Sequence, residues 1–312
     1  MAMTSVEAAQ ARGWRRTYLN LGTLPYWGIH VAAIVGVAIT GWSWRGAALV
    51  LALHVPRMFF VTAAYHRYFS HRSFKTSRWF QLVLGIGATL TGQKGPLWWA
   101  SHHRIHHKMS DTPGDLHSVK QSGFMWAHQG WILSRDLQDT HQARIKDFAR
   151  YPEMAWLDRW WVVPMIAFGV ATAVLGGATG FVWGFCVGQV VCWHATYTIN
   201  SLAHVWGGRR YDTEDDSRNN FVLAILTMGE GWHNNHHHYQ VSARQGFFWW
   251  ELDATYYVLR ALAAIGVVWD VHGVPDHIRA QASVGAAAPP VAAPLAVPRA
   301  VLPGATETAD MA

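Results

Sequence analysis

The chain alternates long apolar stretches that lack charged residues with polar stretches that are rich in histidine. Asp, Glu, Lys and Arg are absent from residues 17–44 and 161–208, and the apolar stretch 46–65 contains only Arg57. A helix needs about 20 apolar residues to cross a bilayer. The pattern therefore predicts an all-α integral membrane protein with four transmembrane helices in two hairpins, at about residues 24–41, 46–65, 161–178 and 181–200.

Two further apolar stretches, at residues 79–93 and 255–268, are shorter than a bilayer-spanning helix requires. If the first of them crossed the membrane, it would also place His71 and His103 on opposite faces. We therefore expect both stretches to form surface or re-entrant helices.

Three histidine clusters lie in the polar stretches: His66-x4-His71, His103-x2-His106-His107 and His233-x2-His236-His237. Residues at i, i+3 and i+4 share one face of a helix, so each of the last two clusters can converge on one point. In an α-helix the first pair would diverge by roughly 140°, so we expect it to straddle a helix end. So many imidazoles exceed what one ion can hold, which predicts two adjacent metal ions.

Composition supports residence in a membrane. The chain has 312 residues, of which 51% are hydrophobic and only 14% charged, and it contains 19 Trp. An ordinary soluble enzyme is less apolar and less aromatic. The only cysteines, Cys186 and Cys192, are too few for an iron–sulfur cluster, so we expect electrons to come from a separate carrier protein.

The distribution of basic residues predicts the orientation. Of the 25 Lys and Arg residues, 13 lie between Arg67 and Arg159, whereas the connections on the other face carry only Arg45. Basic residues favour the cytoplasmic side. We therefore expect both termini and the histidines in the cytoplasm. The net charge of +6 does not indicate nucleic-acid binding, since the basic residues border the spans.

Three regions follow from these patterns. We expect residues 1–20 to form a cytosolic N-terminal segment, residues 21–278 the membrane domain, and residues 279–312 a disordered tail rich in Ala and Pro.

Four sequence runs resemble the membrane fatty acid desaturases of the stearoyl-CoA, delta-9 type, particularly the bacterial ones. They are His66-Arg-Tyr-Phe-Ser-His71, His102-His-Arg-Ile-His-His107, Asn200-Ser-Leu-Ala-His204 and Gly229-Glu-Gly-Trp-His-Asn-Asn-His-His237. Both their order and their spacing agree with that family.

The resemblance implies a mushroom-like fold, in which a cytosolic helical cap above four transmembrane helices holds two iron ions. It also implies that Asn200 approaches one ion through water, whereas His102 stays outside the ligand set. The ligands implied are His66, His71, His103, His106, His107, His204, His233, His236 and His237.

The chemistry implied is an O2-dependent desaturation that places a cis double bond, at delta-9, in a saturated acyl chain. Breaking an unactivated methylene C–H bond requires a redox metal and O2, with electrons from a ferredoxin, rubredoxin or cytochrome and its reductase. A centre of this type could instead hydroxylate or decarboxylate the chain. A membrane metal transporter is a remote alternative, because transport requires ligands near the bilayer midplane.

The acyl carrier is left open by the sequence. The Arg-Asp pair that precedes the second cluster in animal acyl-CoA desaturases is replaced here by Ser101 and His102. Acyl-CoA, acyl-lipid and carrier-protein esters are all possible substrates. Five basic residues are candidates for binding an anionic headgroup: Lys75, Arg78, Lys94, Arg104 and Lys108.

Other polar residues are interpreted as structural. We expect His30, His54 and His194 to be isolated core or interfacial residues, and His117, His128 and His141 to be surface or supporting groups. Arg57 is expected to snorkel to the membrane interface. The acidic run at residues 212–216 is expected to be a solvated loop bonded to Arg218 or Asn219.

Overall fold

The computed structural model describes residues 17–281, and its regular structure is almost entirely helical. The predictions for the disordered tail and for most of the N-terminal segment lie outside the described residues. Three helical stretches are long and apolar enough to cross a membrane: Leu21–Thr40 (20 residues), Trp44–Ser70 (27 residues) and Val162–His204 (43 residues).

These stretches expose large apolar side chains outward. Ile39, Trp44 and Leu175 are 80%, 79% and 87% exposed. An apolar outer surface of this extent is unfavourable in water and is expected where side chains contact lipid. The protein is therefore an integral membrane protein.

The first two stretches are joined by a tight connection. Helix α1 is Leu24–Thr40, and α2 is Trp44–Phe59, which continues directly as a π-helix over Phe60–Ser70. Gly41 has a φ of 70°, which suits a glycine, and the Ser43 hydroxyl caps α2 by accepting a hydrogen bond from the Gly46 amide at 3.0 Å. Helix α1 lies within the predicted span 24–41. Helix α2 and the π-helix that follows it together cover the predicted span 46–65 and continue to the first histidine cluster.

Between the apolar stretches lies a polar and aromatic region. Its longest helices are α3 (Arg78–Thr89), which is capped by Ser77, and α4 (Pro96–Met109). At 12 residues α3 is too short to cross a bilayer, as predicted. Shorter helices follow at Val119–Ser122, Trp126–Gly130, Trp131–Leu133, Arg135–Leu137, Gln142–Arg144, Lys146–Ala149 and Pro152–Arg159.

The third apolar stretch is interrupted at Gly177, whose φ of 57° and ψ of −146° are not helical. It comprises α5 (Val162–Thr179), a π-helix over Gly180–Val187 and α6 (Gly188–Asn200). The Phe185 ring packs against Gly169, and its centroid lies 6.1 Å from that of Phe168. Residues on either side of Gly177 thus contact each other. The interruption at Gly177 lies next to the predicted boundary between the spans 161–178 and 181–200.

The C-terminal region completes the fold. It contains short helices at Leu202–His204 and Phe221–Leu226, then α7 (His233–His238) and α8 (Ala254–Ala264). A final helical turn spans Asp276–Arg279. Strands β1 (Lys75–Thr76) and β2 (Val268–Trp269) form a small antiparallel sheet, with Lys75 opposite Trp269.

The fold brings four elements to one place. A buried aromatic and aliphatic core, which includes Tyr65, Phe69, Leu84 and Leu97, fixes the π-helix of residues 60–70 against α3 and α4. The C-terminal ends of the second and third apolar stretches meet there with α4 and α7. All the predicted histidine clusters lie at this junction.

Candidate metal centre

The three histidine clusters and His204 form two compact groups, in each of which one ligand atom per residue lies within 4.8 Å of all the others. The five-histidine group consists of His66, His71, His103, His107 and His236. The four-histidine group consists of His106, His204, His233 and His237. The structure therefore brings together all nine histidines that the sequence predicted, and their arrangement fits a metal site.

The π-helix explains how the first cluster contributes two rings. In a π-helix each amide bonds to the carbonyl five residues earlier, so residues at i and i+5 lie side by side. The His71 amide donates to the His66 carbonyl at 3.2 Å, and the two rings are 4.7 Å apart. His71 lies immediately after the last π-helical residue, Ser70, so the prediction that the pair straddles a helix end is confirmed.

The five-histidine group has the spacing of ligands around one ion. Its Nε2 atoms form a ring with successive distances of 3.1 Å (His66–His71), 2.9 Å (His71–His103), 2.9 Å (His103–His107), 3.0 Å (His107–His236) and 3.0 Å (His236–His66). Metal–nitrogen bonds of about 2.1 Å at right angles separate two nitrogens by about 3.0 Å. The group therefore has room for one ion at its centre.

The four-histidine group contains buried nitrogens that have no protein partner. His204 Nε2 lies 3.1 Å from His233 Nε2. The Nε2 atoms of His106 and His237 are buried without any hydrogen-bond partner among the described residues. Such orphaned nitrogens are unfavourable unless a ligand satisfies them.

Three aspartates orient the four-histidine group. Each accepts a hydrogen bond from a ring Nδ1: Asp115 from His106 (2.9 Å), Asp111 from His204 (3.0 Å) and Asp215 from His237 (2.6 Å). A neutral imidazole that donates from Nδ1 keeps its lone pair on Nε2. The aspartates thus turn three Nε2 lone pairs toward the centre, as in many protein metal sites.

The position of Asp215 corrects the interpretation of the acidic run as a solvated loop. Asp215 is buried, and its second oxygen accepts hydrogen bonds from the Ser217 amide (3.0 Å) and the Thr213 hydroxyl (3.1 Å). The predicted bonds to Arg218 or Asn219 are not formed, since Arg218 donates to the Gly207 carbonyl.

A single glutamate supports the five-histidine group. Glu230 contacts His66 Nδ1 at 2.5 Å and accepts a hydrogen bond from Arg67 at 3.0 Å. Arg67 is buried and also pairs with Asp253 at 2.9 Å, while Gln245 donates to Glu230 at 2.8 Å. Glu230 was not among the residues predicted from the sequence, although it lies within the fourth run that carries the resemblance.

The electrostatics keep most of the rings neutral. Burial and the proximity of other imidazoles hold the pKa well below its usual value for His71, His103, His107, His233 and His236. Burial lowers the pKa of His237 to about 4, although Asp215 opposes the shift. Burial also acts to lower the pKa of His106, but the charge of Asp115 outweighs it and raises that pKa.

The supporting carboxylates remain ionised. Burial alone would raise their pKa values, but hydrogen bonds and charges from the histidines outweigh it, so the pKa lies well below its usual range for Asp111, Asp115 and Asp215. For Glu230, the charges of His66 and Arg67 outweigh burial and lower the pKa to about 2. At neutral pH the site thus combines six imidazoles that are held neutral with anionic supports, the protonation states that a cation requires.

Two other polar residues lie beside the groups. The Asn200 side chain lines a cavity together with His66, His103 and His233. The His117 ring stacks on His106 at 4.1 Å, and with Asp115 these two residues form a third, overlapping set of possible ligands. His117 was predicted to be a surface or supporting group; it is buried, and its supporting role stays a prediction.

His102 lies apart from both groups. It is buried, its Nδ1 donates to the Trp98 carbonyl at 2.8 Å, and its ring stacks on Trp98 at 4.1 Å. Its exclusion from the predicted ligand set agrees with this position.

The five predicted headgroup residues do not converge. Lys75, Arg78 and Arg104 form ion pairs with Asp270 (2.8 Å), Glu153 (2.7 Å) and Asp147 (2.9 Å), respectively. Lys108 is exposed. Lys94 differs from the other four because it lines a cavity, donates to Gln138 and lies over the rings of Trp98 and Trp161.

Comparisons with known proteins agree with this site. The family model described as fatty acid desaturase matches residues 41–272. The sn-1 stearoyl-lipid 9-desaturase of Anabaena variabilis is 37% identical over 253 residues, which cover 80% of this chain and 93% of the relative. A protein of the same name from Synechocystis sp. is 35% identical, covering 80% and 78%. The icosanoyl-CoA 5-desaturase of Limnanthes douglasii is 34% identical, covering 78% and 69%.

The family model covers well over half of the chain, and it includes all nine histidines. The chain therefore belongs to the fatty acid desaturase family and is an oxidoreductase that acts on fatty acyl chains.

Proposed function

We propose that the protein is an O2-dependent acyl-lipid desaturase that introduces a cis double bond, at delta-9, into a saturated acyl chain at a diiron centre. The observation that carries this proposal is the division of nine histidines into two adjacent groups with Nε2 atoms directed inward. Two relatives with this double-bond position in their names support the assignment of delta-9.

The residues fit two ions. The five-histidine group would hold one iron, and the four-histidine group would hold the other, with Asn200 bonded to the second ion through water. The buried Nε2 atoms of His106 and His237, which have no protein partner among residues 17–281, support this assignment. When bound, the two iron ions supply the activation of O2 and the one-electron chemistry that removes hydrogen from unactivated carbon.

The protein's own residues orient and shield this chemistry. Asp111, Asp115, Asp215 and Glu230 hold the rings, and nearly all of these side chains are buried away from water. Exclusion of water strengthens the hydrogen bonds and limits side reactions of activated oxygen.

A series of cavities leads toward the centre. The outer cavity has a volume of about 370 Å³, and its apolar walls include Ile29, Trp161 and Trp193. It shares Ile132 and Tyr197 with a middle cavity. The middle cavity shares Trp99, His103, Thr196 and Asn200 with the inner cavity at the histidines. We propose that the acyl chain follows this route, since apolar walls suit an alkyl chain.

The residues at the entrance of the outer cavity favour a substrate with an anionic lipid headgroup. Lys94 and Arg135 line the outer cavity with Gln138, and Lys94 forms no ion pair within the described residues. Three other predicted headgroup residues are already paired with carboxylates. The substrate proposed is therefore a membrane lipid whose headgroup lies near Lys94, and Lys108 is a secondary candidate.

The membrane topology proposed has four crossings in two hairpins, with turns at Gly41 and Gly177. Both termini and a helical cap that carries the histidines would face the cytoplasm. The excess of basic residues between Arg67 and Arg159 supports this orientation. A separate ferredoxin, rubredoxin or cytochrome with its reductase would supply electrons on that side.

The test is lipid analysis in a host that lacks desaturases. We expect aerobic cells that express the chain to accumulate acyl chains with a cis double bond, and we expect the His106→Ala variant to accumulate none. His272→Ala, an exposed histidine outside both groups, is the matched control and should retain activity. Hydroxylated or shortened alkyl products would indicate the alternative reactions, and identical lipids in cells with wild type and with empty vector would contradict the proposal.

A further inference from the structure

Three histidines outside the metal centre form a continuous hydrogen-bonded chain. His30 Nε2 on α1 lies 3.1 Å from His194 Nε2 on α6, and His194 Nδ1 lies 2.9 Å from His128 Nε2. His128 belongs to the π-helix Trp126–Gly130. The prediction that His30 and His194 are isolated is therefore wrong, because each uses a ring nitrogen to contact the next.

Both ends of the chain terminate on groups that accept hydrogen bonds. His30 Nδ1 lies 2.8 Å from the Tyr26 carbonyl, which can only accept. His128 Nδ1 lies 2.9 Å from the Ser201 hydroxyl, whose own proton is donated to the Tyr197 carbonyl at 2.9 Å. Both terminal ring nitrogens must therefore carry protons.

The hydrogen bonds of this histidine chain require more protons than three neutral rings carry. The two terminal contacts and the two contacts between rings each require one N–H group, so the chain needs four protons. Three neutral imidazoles carry only three, because each has one N–H and one bare nitrogen. All four hydrogen bonds can be made together only when one of the three rings is an imidazolium, which carries one additional proton.

The hydrogen-bonded chain of three histidines lies beside the cavities through which the acyl chain is proposed to pass. The Tyr197 ring, which lines the outer and middle cavities, packs against His128 (5.7 Å) and His194 (5.9 Å). Ser201, at the end of the chain, directly follows Asn200, which lines the inner cavity. That cavity has a volume of about 30 Å³. A water molecule needs about 10–15 Å³, so the inner cavity has room for water next to the histidine groups.

The surroundings of the chain are aromatic. The aromatic residues that face it are Tyr26, Trp27, Trp193, Tyr197 and Phe124, of which only the tyrosines are titratable. Among the described residues, no carboxylate, Lys or Arg pairs with any of the three histidines. Burial lowers the pKa of His128.

We propose that His30, His194 and His128 store a proton and deliver it, through Ser201 and water in the inner cavity, to the reduction of O2. This inference rests on the proposed desaturase function. The reaction converts –CH2–CH2–, O2, two electrons and two protons into –CH=CH– and two water molecules. Two C–H bonds break, one C=C bond forms, and O2 is reduced with electrons from the separate donor. The substrate supplies two of the four hydrogen atoms in the two water molecules. The three histidines relay the other two, as protons, from solvent.

The decisive variant is His194→Gln, because glutamine can form hydrogen bonds but cannot carry the extra proton. In purified, iron-loaded enzyme with reduced donor, we expect product formation to slow by on the order of 100-fold. More peroxide should be released per double bond formed. Replacement of H2O by D2O should slow the variant more than it slows the wild type. His54→Asn is the matched control, since His54 lies in α2 and bonds only the Leu226 carbonyl.

A second measurement separates a relay from a structural role. His128→Ala should regain activity when imidazole is added, because free imidazole can replace the missing proton carrier. Independently of turnover, nitrogen-15 NMR of histidine-labelled protein at pH 8 should show an imidazolium signal in wild type and His54→Asn that His194→Gln lacks.

The outcomes distinguish the two proposals. If wild type desaturates acyl chains and His194→Gln keeps the same rate, peroxide release and imidazolium signal, the relay is overturned while the desaturase function stands. A wild type that forms no unsaturated product would instead overturn the proposed function. Failure of imidazole to rescue His128→Ala, at unchanged iron content, would also count against the relay.

Discussion

The two histidine groups differ in how they would stabilise a cation. The five-histidine group has more rings but one supporting carboxylate, Glu230, whose charge is balanced by the buried Arg67. The four-histidine group has fewer rings but three supporting aspartates, which hydrogen-bond mainly to the rings and to neutral groups. The first group relies on the number of neutral ligands and the second on nearby negative charge.

This difference predicts that the two ions have unequal environments. An ion in the four-histidine group would lie in a more negative environment and would have fewer protein ligands. Asn200 lines the inner cavity together with two histidines of each group: His66 and His103, and His106 and His233. We expect the iron in the five-histidine group to be more fully coordinated by protein.

The largest effect should follow from removing one ring from each group. We expect His236→Ala and His233→Ala each to lower desaturation by more than about 100-fold, since outer hydrogen-bond partners alone are worth about 10- to 100-fold at metal sites. Iron analysis should show the selective loss of one ion in each variant. Variants that retain both ions and normal turnover would contradict the division into two groups.

Removal of the negative charge should affect the four-histidine group more. We expect Asp215→Asn to weaken iron binding there by about 10- to 100-fold. Asp212→Asn is the matched control, because its side chain lies in the same loop but is 92% exposed. Competition with a metal chelator measures the affinity. Equal affinities in the two variants would show that Asp215 does not support the site.

Acidification should destabilise the metal-free protein. The unfolded chain protonates its histidines near pH 6.5. In the folded protein five rings stay neutral well below this value: His71, His103, His107, His233 and His236. The unfolded state therefore binds more protons below pH 6.5, at a cost of about 1.4 kcal/mol per pH unit for each such histidine. We expect the midpoint of thermal unfolding to be constant from pH 8 to 7 and to fall steeply from pH 6.5 to 5. A midpoint that rises on acidification would contradict the neutral rings.

The smallest predicted effect concerns the cavity entrance. Burial lowers the pKa of Lys94 to about 8, so it is mostly cationic at pH 7. Loss of a hydrogen bond to a charged group is worth about 1.5 kcal/mol, so we expect Lys94→Met to raise the KM for an anionic lipid by about 10-fold. Lys75→Met, which removes a surface cation paired with Asp270, should change the KM little. A KM that is unchanged in Lys94→Met would place the headgroup elsewhere.

The sequence could predict the features that show regular spacing or a long run without charged residues. The bounds of α1 and the break at Gly177 follow from apolar runs and glycines. The nine histidines could be selected because their intervals match helix faces or the motifs of a known family.

Contacts between distant segments explain what the sequence could not predict. Asp215 lies in a run of acidic residues that looks like any surface loop, and only the tertiary fold brings it to His237. Arg57 was expected to snorkel, but it is buried and donates to the Leu53 carbonyl at 3.0 Å, beneath the Phe168 ring. The π-helix that aligns His66 with His71 also has no simple periodic signature.

Mössbauer spectroscopy of iron-57-loaded protein tests the central claim most directly. We predict two iron ions per chain that give two distinct signals of equal area, of which His236→Ala loses the one from the five-histidine group. A single iron per chain, or two ions that both persist in His236→Ala, would contradict the two-group centre.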